Sequence, residues 1–122
     1  MQITAAESQV MDALWRRGPL TFEDLNAEVA GANDWGRATV KTLVNRLLNK
    51  GAIASERLEG RHRYRALFAR EAYVDDESQD LLDRLFDGEL TPLIAHFARY
   101  RKLKPAEVAR LKRLIEEMDG GD

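Results

Sequence analysis

Residues 37–50 read RATVKTLVNRLLNK, and this stretch decides the fold. Its apolar side chains recur at the spacing of an amphipathic helix and form one stripe for a protein core: Val40, Leu43, Val44, Leu47 and Leu48. Gly51 follows as the expected C-cap. The opposite face carries hydrogen-bonding side chains and no carboxylate, which would repel phosphate. The stretch therefore predicts a helix that buries one face and offers the other to a polyanion.

The exposed face of this helix has the side chains that read DNA bases. Thr contacts the thymine methyl group, Asn pairs with adenine and Arg pairs with guanine, so the predicted base readers are Thr39, Thr42, Asn45 and Arg46. Arg37 and Lys41 flank this face and are expected to hold phosphates. An ordinary surface helix is the alternative, but such helices usually mix both charge signs.

Two helices are predicted before this one. Residues 4–7 have the spacing of a capping box, and the helix that they begin ends at residues 18–19, Gly-Pro. Thr21 is the predicted N-cap of a short second helix that reaches about Ala30, and residues 31–34 are predicted to form a loop.

After Gly51 the hydrophobic period changes from the helical value to two. Residues 53–58 and 62–68 are predicted strands, joined by a turn at residues 59–61. Three helices followed by a hairpin is the order of a winged helix-turn-helix, in which the third helix enters the major groove. Arg61 and Arg63, near the tip of the hairpin, are candidates for phosphate or minor-groove contacts; a solvated hairpin is the alternative.

The rest of the chain predicts three more helices, so the fold class is mainly α with one small β-hairpin. We predict a winged-helix DNA-binding domain at residues 1–70 and a helical dimerisation region at residues 71–122. Nine basic and two acidic residues lie in residues 36–70, against eight basic and thirteen acidic residues in residues 71–122. This asymmetry is expected of a DNA-binding part joined to an assembly part.

Dimerisation is predicted because three short helices in about 50 residues bury little surface alone. A two-fold dimer also matches a palindromic site. The alternative is that these helices fold back on the winged helix of the same chain. The expected dimer contacts are the apolar side chains Leu82, Leu85, Phe86, Leu90, Leu93, Ile94, Phe97, Leu111, Leu114 and Ile115.

Composition argues against several other classes of protein. The chain has no cysteine, so disulfides and thiolate metal sites are excluded, and its two histidines lack ligand spacing. We find no nucleophile motif and no phosphate-binding loop, so neither an enzyme, a cofactor nor a metal is expected. No apolar run approaches the ~20 residues of a membrane span, and no leader is recognisable, so a cytoplasmic protein without membrane insertion is expected.

Several stretches resemble one known family. Residues 38–51, residues 5–15 with residues 18–21, and residues 85–90 with residues 93–98 resemble the recognition helix, first helix and turn, and dimerisation segment of the penicillinase repressor (BlaI/MecI-type) family. The resemblance implies a homodimeric winged-helix repressor that binds palindromic operators upstream of resistance genes. It also implies C-terminal helices that interlock in the dimer.

The same resemblance implies a mode of induction. Many members are encoded beside a membrane metallopeptidase sensor, and induction involves cleavage of the repressor within its dimerisation helix. By motif, that bond matches His96–Phe97, although related repressors have Asn at the position of His96. The copper-responsive branch uses a cysteine cluster, which this chain lacks.

Three functions therefore stay open at the level of sequence. The first is a dimeric repressor without a small-molecule ligand. The second is a winged-helix regulator with an effector pocket at its dimer interface. The third is a winged-helix module that contacts protein instead of DNA.

Overall fold

A computed structural model describes residues 2–120 of the chain. It has eight elements: α1 (Ala5–Arg17), α2 (Phe22–Asn33), α3 (Arg37–Lys50), β1 (Ile53–Leu58), β2 (Arg61–Ala66), α4 (Arg70–Leu85), α5 (Leu90–Tyr100) and α6 (Pro105–Gly120). The predicted order of three helices, a hairpin and three further helices is confirmed. The chain divides into two compact units, one ending at Val74 and the other beginning at Asp75.

The first unit has a hydrophobic core built from α1, α2, α3 and β1. Its buried apolar side chains are Val10, Met11, Ala13, Leu14, Leu20, Leu25, Val29, Val40, Leu43, Val44, Leu47, Ala52 and Ile53. α1 and α3 contribute most among the helices, because each buries four apolar residues. Burial of the apolar stripe of α3 fixes which side of that helix faces solvent.

The helix ends of the first unit follow the predicted caps. The amide of Glu7 donates to Thr4 Oγ1 at 3.0 Å, and Glu7 Oε1 accepts from the amide of Thr4 at 2.8 Å, so the capping box is complete. Thr21 Oγ1 accepts from the amide of Asp24 at 3.2 Å. Gly51 ends α3 in the left-handed region, with φ at 77°.

The predicted loop at residues 31–34 is wrong for its first three residues. α2 continues through Asn33, whose side-chain amide donates to the carbonyl of Val29 at 2.9 Å. Asp34 ends the helix instead, with φ at 56°, a conformation that Asp tolerates better than most residues. Gly31 is poor for a helix interior, but one glycine costs only about 1 kcal/mol relative to alanine.

The hairpin has a two-residue turn instead of the predicted three-residue turn. Glu59 and Gly60 both have positive φ, 54° and 79°, as the tightest hairpin turns require. Arg61 is therefore paired with Leu58 and belongs to β2. The predicted end of β2 at residue 68 is also wrong, because the strand stops at Ala66 and Phe68 turns away, its carbonyl accepting from Trp15 Nε1 at 3.0 Å.

A short bridge joins the hairpin to the connection between α1 and α2. Leu20 and Tyr64 exchange backbone hydrogen bonds of 3.0 and 2.8 Å. On the inner face of the hairpin, Ile53 is buried and Tyr64 packs against the core. The wing is therefore attached to the first unit on two sides.

The second unit contains α5, α6 and most of α4. α6 begins at Pro105, as predicted from the position of proline in a first helical turn. No residue of α4, α5 or α6 is buried, although each helix has an apolar stripe. Among residues 2–120, no helix combines the length and hydropathy needed to cross a membrane.

Candidate nucleic-acid interface

The inner face of α3 holds the helix rigidly in the first unit. Val40, Val44 and Leu47 are completely buried, Leu43 is nearly so, and Leu48 is half-buried. These are the five residues of the stripe predicted from the sequence. Because the stripe packs against α1 and α2, the opposite face of α3 has a fixed orientation.

The outer face of α3 carries the four predicted base readers, and all four are exposed: Thr39, Thr42, Asn45 and Arg46. Thr42 Oγ1 donates to the carbonyl of Ala38 at 3.0 Å, so this side chain offers a methyl group and oxygen lone pairs to a ligand. Arg46 and Asn45 form no side-chain hydrogen bond with any residue in the described range 2–120. Their donors are free for base edges.

The two predicted phosphate-binding residues of α3 lie together over one aromatic ring. The guanidinium carbon of Arg37 lies 4.8 Å and Lys41 Nζ lies 4.9 Å from the ring centroid of Phe22. Arg37 also forms a bidentate ion pair with Glu23, through Nη1–Oε2 at 2.9 Å and Nη2–Oε1 at 2.5 Å. Hydrogen bonds from Arg37 hold the pKa of Glu23 below its usual range and raise the pKa of Arg37. The sequence did not indicate this cluster.

The hairpin places its arginines in different surroundings. Arg61 is exposed next to the turn, whereas Arg63 is half-buried and its Nε is buried without a hydrogen-bond partner. Arg65 Nε pairs with Glu56 Oε2 at 2.8 Å. Of the two predicted phosphate-binding residues of the wing, Arg61 is therefore the more accessible.

An ion pair with one buried partner, at the far end of α3, was missed at the level of sequence. Lys50 Nζ donates to Glu7 Oε1 at 2.6 Å and to the carbonyl of Gln2 at 3.0 Å. Glu7 is completely buried, and its Oε2 has no hydrogen-bond partner. Burial raises the pKa of Glu7, but the hydrogen bonds from Lys50 and Thr4 outweigh it and leave the pKa lowered. The pair fastens the C-terminal end of α3 to the start of α1.

The geometry suits recognition of a polyanion. The four readers lie on one helical face, and the cations of α3 and the wing belong to the same compact unit. Within residues 2–120, no group of three His, Asp or Glu side chains is arranged to hold a metal ion.

Sequence comparisons place these features among known proteins. The model of the penicillinase repressor family matches residues 3–117. The penicillinase repressor of Bacillus licheniformis is 27% identical over 117 residues, covering 95% of this chain and 91% of that protein. The methicillin resistance regulatory protein MecI of Staphylococcus aureus (strain N315) is 22% identical over 116 residues, covering 95% of this chain and 94% of that protein.

Solved structures agree with the fold class. The DNA-binding domain of the repressor BlaI superposes with a TM-score of 0.53 at 25% identity, covering 59% of this chain and 88% of that one. Monomeric BlaI of Bacillus licheniformis in complex with the blaP half-operator gives a TM-score of 0.55 at 25% identity, covering 60% and 89%. The winged helix-turn-helix prediction and the family resemblance are thus confirmed. The chain belongs to the penicillinase repressor family, a family of DNA-binding transcriptional repressors and not of enzymes.

Proposed function

We propose that this repressor acts as a homodimer on a palindromic operator, with α3 of each copy in the major groove of one half-site. The observation that carries the proposal is the outer face of α3, where four hydrogen-bonding side chains are exposed and no acid is present. The solved complex of monomeric BlaI with a half-operator supports one copy per half-site. Because a repressor must reach chromosomal DNA, we propose a cytoplasmic location.

Within each half-site we assign base contacts and backbone contacts to different residues. Thr39, Thr42, Asn45 and Arg46 read bases, because their side chains project from the exposed face of α3. Arg37 and Lys41 hold phosphates beside the recognition helix, and Arg61 and Arg63 hold phosphates beside the wing. Arg63 must first leave its half-buried position, so Arg61 is the main contact of the hairpin.

The test compares Arg46→Ala with Arg61→Ala on a duplex selected by the protein and on a random duplex. Arg46→Ala should weaken selected-duplex binding by about 1–3 kcal/mol with little change on random DNA. Arg61→Ala should weaken both and flatten the salt dependence by about one phosphate contact. Lys112→Ala, a charge removed from exposed α6, is the control.

Equal losses on both duplexes for Arg46→Ala would contradict its role in base reading. If the wild-type protein bound a palindromic duplex no better than a random one, a winged helix that contacts protein instead of DNA would be favoured.

Dimerisation is proposed because the second unit has apolar surface that its residues up to 120 leave exposed. Leu85, Leu90 and Leu114 expose 61%, 57% and 54% of their surface. A second copy of the chain would bury these exposed apolar side chains. We assign the contacts to the apolar stripes of the three helices: Leu82, Leu85, Phe86, Leu90, Leu93, Ile94, Phe97, Leu111, Leu114 and Ile115.

We further propose that cleavage of the His96–Phe97 bond by a membrane metallopeptidase relieves repression. Both residues lie within α5, where His96 is exposed and Phe97 is half-buried. A peptidase binds extended chain, so α5 must open locally before cleavage. Mass spectrometry of the repressor from induced cells should find a fragment ending at His96. An intact repressor in fully induced cells would contradict this mode of relief.

An effector site at the dimer interface is the second candidate for relief of repression. A groove of about 710 Å³ lies between α5 and α6, with Leu93, Phe97 and Leu111 among its apolar residues. Its polar residues include Arg101, Lys104 and one acid, Glu107. Release of intact repressor from DNA by an amphipathic carboxylate would favour this candidate over proteolysis.

A further inference from the structure

Arg37, at the N-terminal end of α3, is paired with a carboxylate of the same chain. Glu23 presents both of its oxygens to Nη1 and Nη2 of Arg37, at 2.9 and 2.5 Å. A DNA phosphate accepts hydrogen bonds from arginine in the same two-pronged arrangement. Glu23 therefore satisfies the guanidinium in the way that a backbone phosphate would.

The position of Arg37 does not depend on Glu23 alone. The guanidinium also lies over the ring of Phe22, which is half-buried and carries Lys41 Nζ at a similar distance. Lys41 forms no ion pair with any acid in the described part of the chain. The cluster thus has two cations and one acid, and the ring holds both cations beside the reading face.

The pair between Glu23 and Arg37 can be exchanged for another partner. Their side chains expose 70% and 60% of their surface, so water and ions reach both groups. Exposed pairs of this kind contribute little net stability to a fold. A phosphate that approaches Arg37 must displace Glu23, and the displaced carboxylate then repels that phosphate.

We infer that Glu23 is an internal competitor of DNA phosphate, which occupies Arg37 until a phosphate in register with the bases displaces it. The inference rests on the proposed base reading by α3. On a matched site, the base contacts fix the position of α3 along the duplex, so one backbone phosphate stays next to Arg37. On random DNA no register is held, so Arg37 stays paired and contributes no attraction. The operator must displace Glu23 to gain the contact with Arg37, whereas random DNA forgoes that contact. Glu23 therefore weakens binding to the operator more than binding to random DNA.

Glu23→Gln tests this inference, because it removes the charge and keeps the shape of the side chain. Asp24→Asn is the matched control: Asp24 is the next residue of α2, is exposed and forms no side-chain ion pair in the described residues. The probes are the tightest duplex that the wild-type protein selects from a randomised pool and a scrambled duplex of equal composition. Affinity is measured on the full chain over a range of salt, with circular dichroism to verify folding.

Glu23→Gln should bind the selected duplex about threefold to tenfold more tightly. On the scrambled duplex it should steepen the salt dependence by up to about one phosphate contact, because Arg37 is then free. Affinity for the scrambled duplex should rise less, so the ratio of the selected to the scrambled affinity should rise. Asp24→Asn should raise both affinities equally and leave the ratio unchanged. In an Arg37→Ala background, the gain from Glu23→Gln should shrink to that of Asp24→Asn.

Weaker binding of Glu23→Gln to both duplexes would overturn the inference and make Glu23 a residue that positions Arg37. An unchanged ratio, or a gain that persists without Arg37, would overturn it as well. A wild-type protein that did not distinguish the two duplexes would instead contradict the proposed base reading. The two failures are therefore distinguishable.

Discussion

The two units of the chain use the same amphipathic pattern with opposite results. In the first unit, thirteen of the apolar residues that the structure describes are buried, and most of the stripes of α1 and α3 lie in one core. In the second unit, none of the three helices has a buried residue among those described. An apolar stripe at helical spacing thus predicts a helix in both units. It does not predict whether residues of the same chain bury that stripe.

The largest effect should come from opening a cavity in the first unit. Leu47→Ala removes a completely buried side chain and should lower the free energy of unfolding by about 2–5 kcal/mol, independently of protein concentration. Leu114→Ala is the matched change in the second unit, where the side chain is 54% exposed. Its cost should appear only as faster dissociation at low concentration. If thermal melts showed equal losses of stability for the two variants, independent of protein concentration, the contrast between the units would be contradicted.

The next effect should come from placing a charge in the second unit. Leu93→Asp should give monomers by light scattering, because a carboxylate cannot be buried against apolar side chains of a second copy. Affinity for a palindromic duplex should fall about a hundredfold or more, because binding at one half-site no longer brings a second linked copy to the other. Binding to a half-site should be unchanged. A dimer that persists in Leu93→Asp would refute the dimerisation surface assigned to α5.

A smaller effect should follow from removing the cation that covers Glu7. Lys50→Met leaves a buried, unpaired carboxylate and should lower the stability of the first unit by about 1–3 kcal/mol at pH 7. Because the pKa of Glu7 is lowered in the fold, the wild-type pair stabilises above pH 4.5, its ordinary pKa, and is lost as the pH falls. In the variant, acid should relieve the buried charge, so the two stabilities should converge.

Denaturant titrations at several pH values measure this convergence. The double variant Glu7→Gln with Lys50→Met removes the buried charge and should recover part of the loss at pH 7. A difference between wild type and Lys50→Met that is independent of pH would show that Lys50 acts through packing alone.

The smallest effect should come from the hairpin turn. Glu59 holds a positive φ of 54°, and Asn at this place gives the most favourable pair before Gly60. Glu59→Asn should raise the melting temperature of the first unit through a gain of about 0.5 kcal/mol. Lys102→Asn, at φ 48°, is the matched change in the second unit, and its gain should depend on concentration. A lower melting temperature for Glu59→Asn would mean that its carboxylate contributes to the turn.

Sequence was sufficient where a signal is local or periodic. The capping box at Thr4, the stripe of α3 and the left-handed Gly51 were all predicted, because each depends on residues within one helix. The end of α2 was misplaced, since residues 31–33 have loop composition and still continue a helix. Local preference is weak enough for the surrounding structure to decide such an end.

The parts of the candidate site that were missed join residues far apart in sequence. Lys50 and Glu7 are separated by 43 positions, and Arg37 and Glu23 by 14. No periodicity indicates that such charges meet, because their approach depends on how α1, α2 and α3 pack. The face of α3 could be predicted, but its internal counter-charges could not.

The backbone bridge between Leu20 and Tyr64 has a consequence for the geometry of the operator. It attaches the wing to the same rigid body that carries α3, so the hairpin cannot slide along the duplex independently of the recognition helix. In the proposed complex, the distance between the bases assigned to Arg46 and the phosphate assigned to Arg61 should therefore have one fixed value. A half-site lengthened by a single base pair between those two contacts loses one of them.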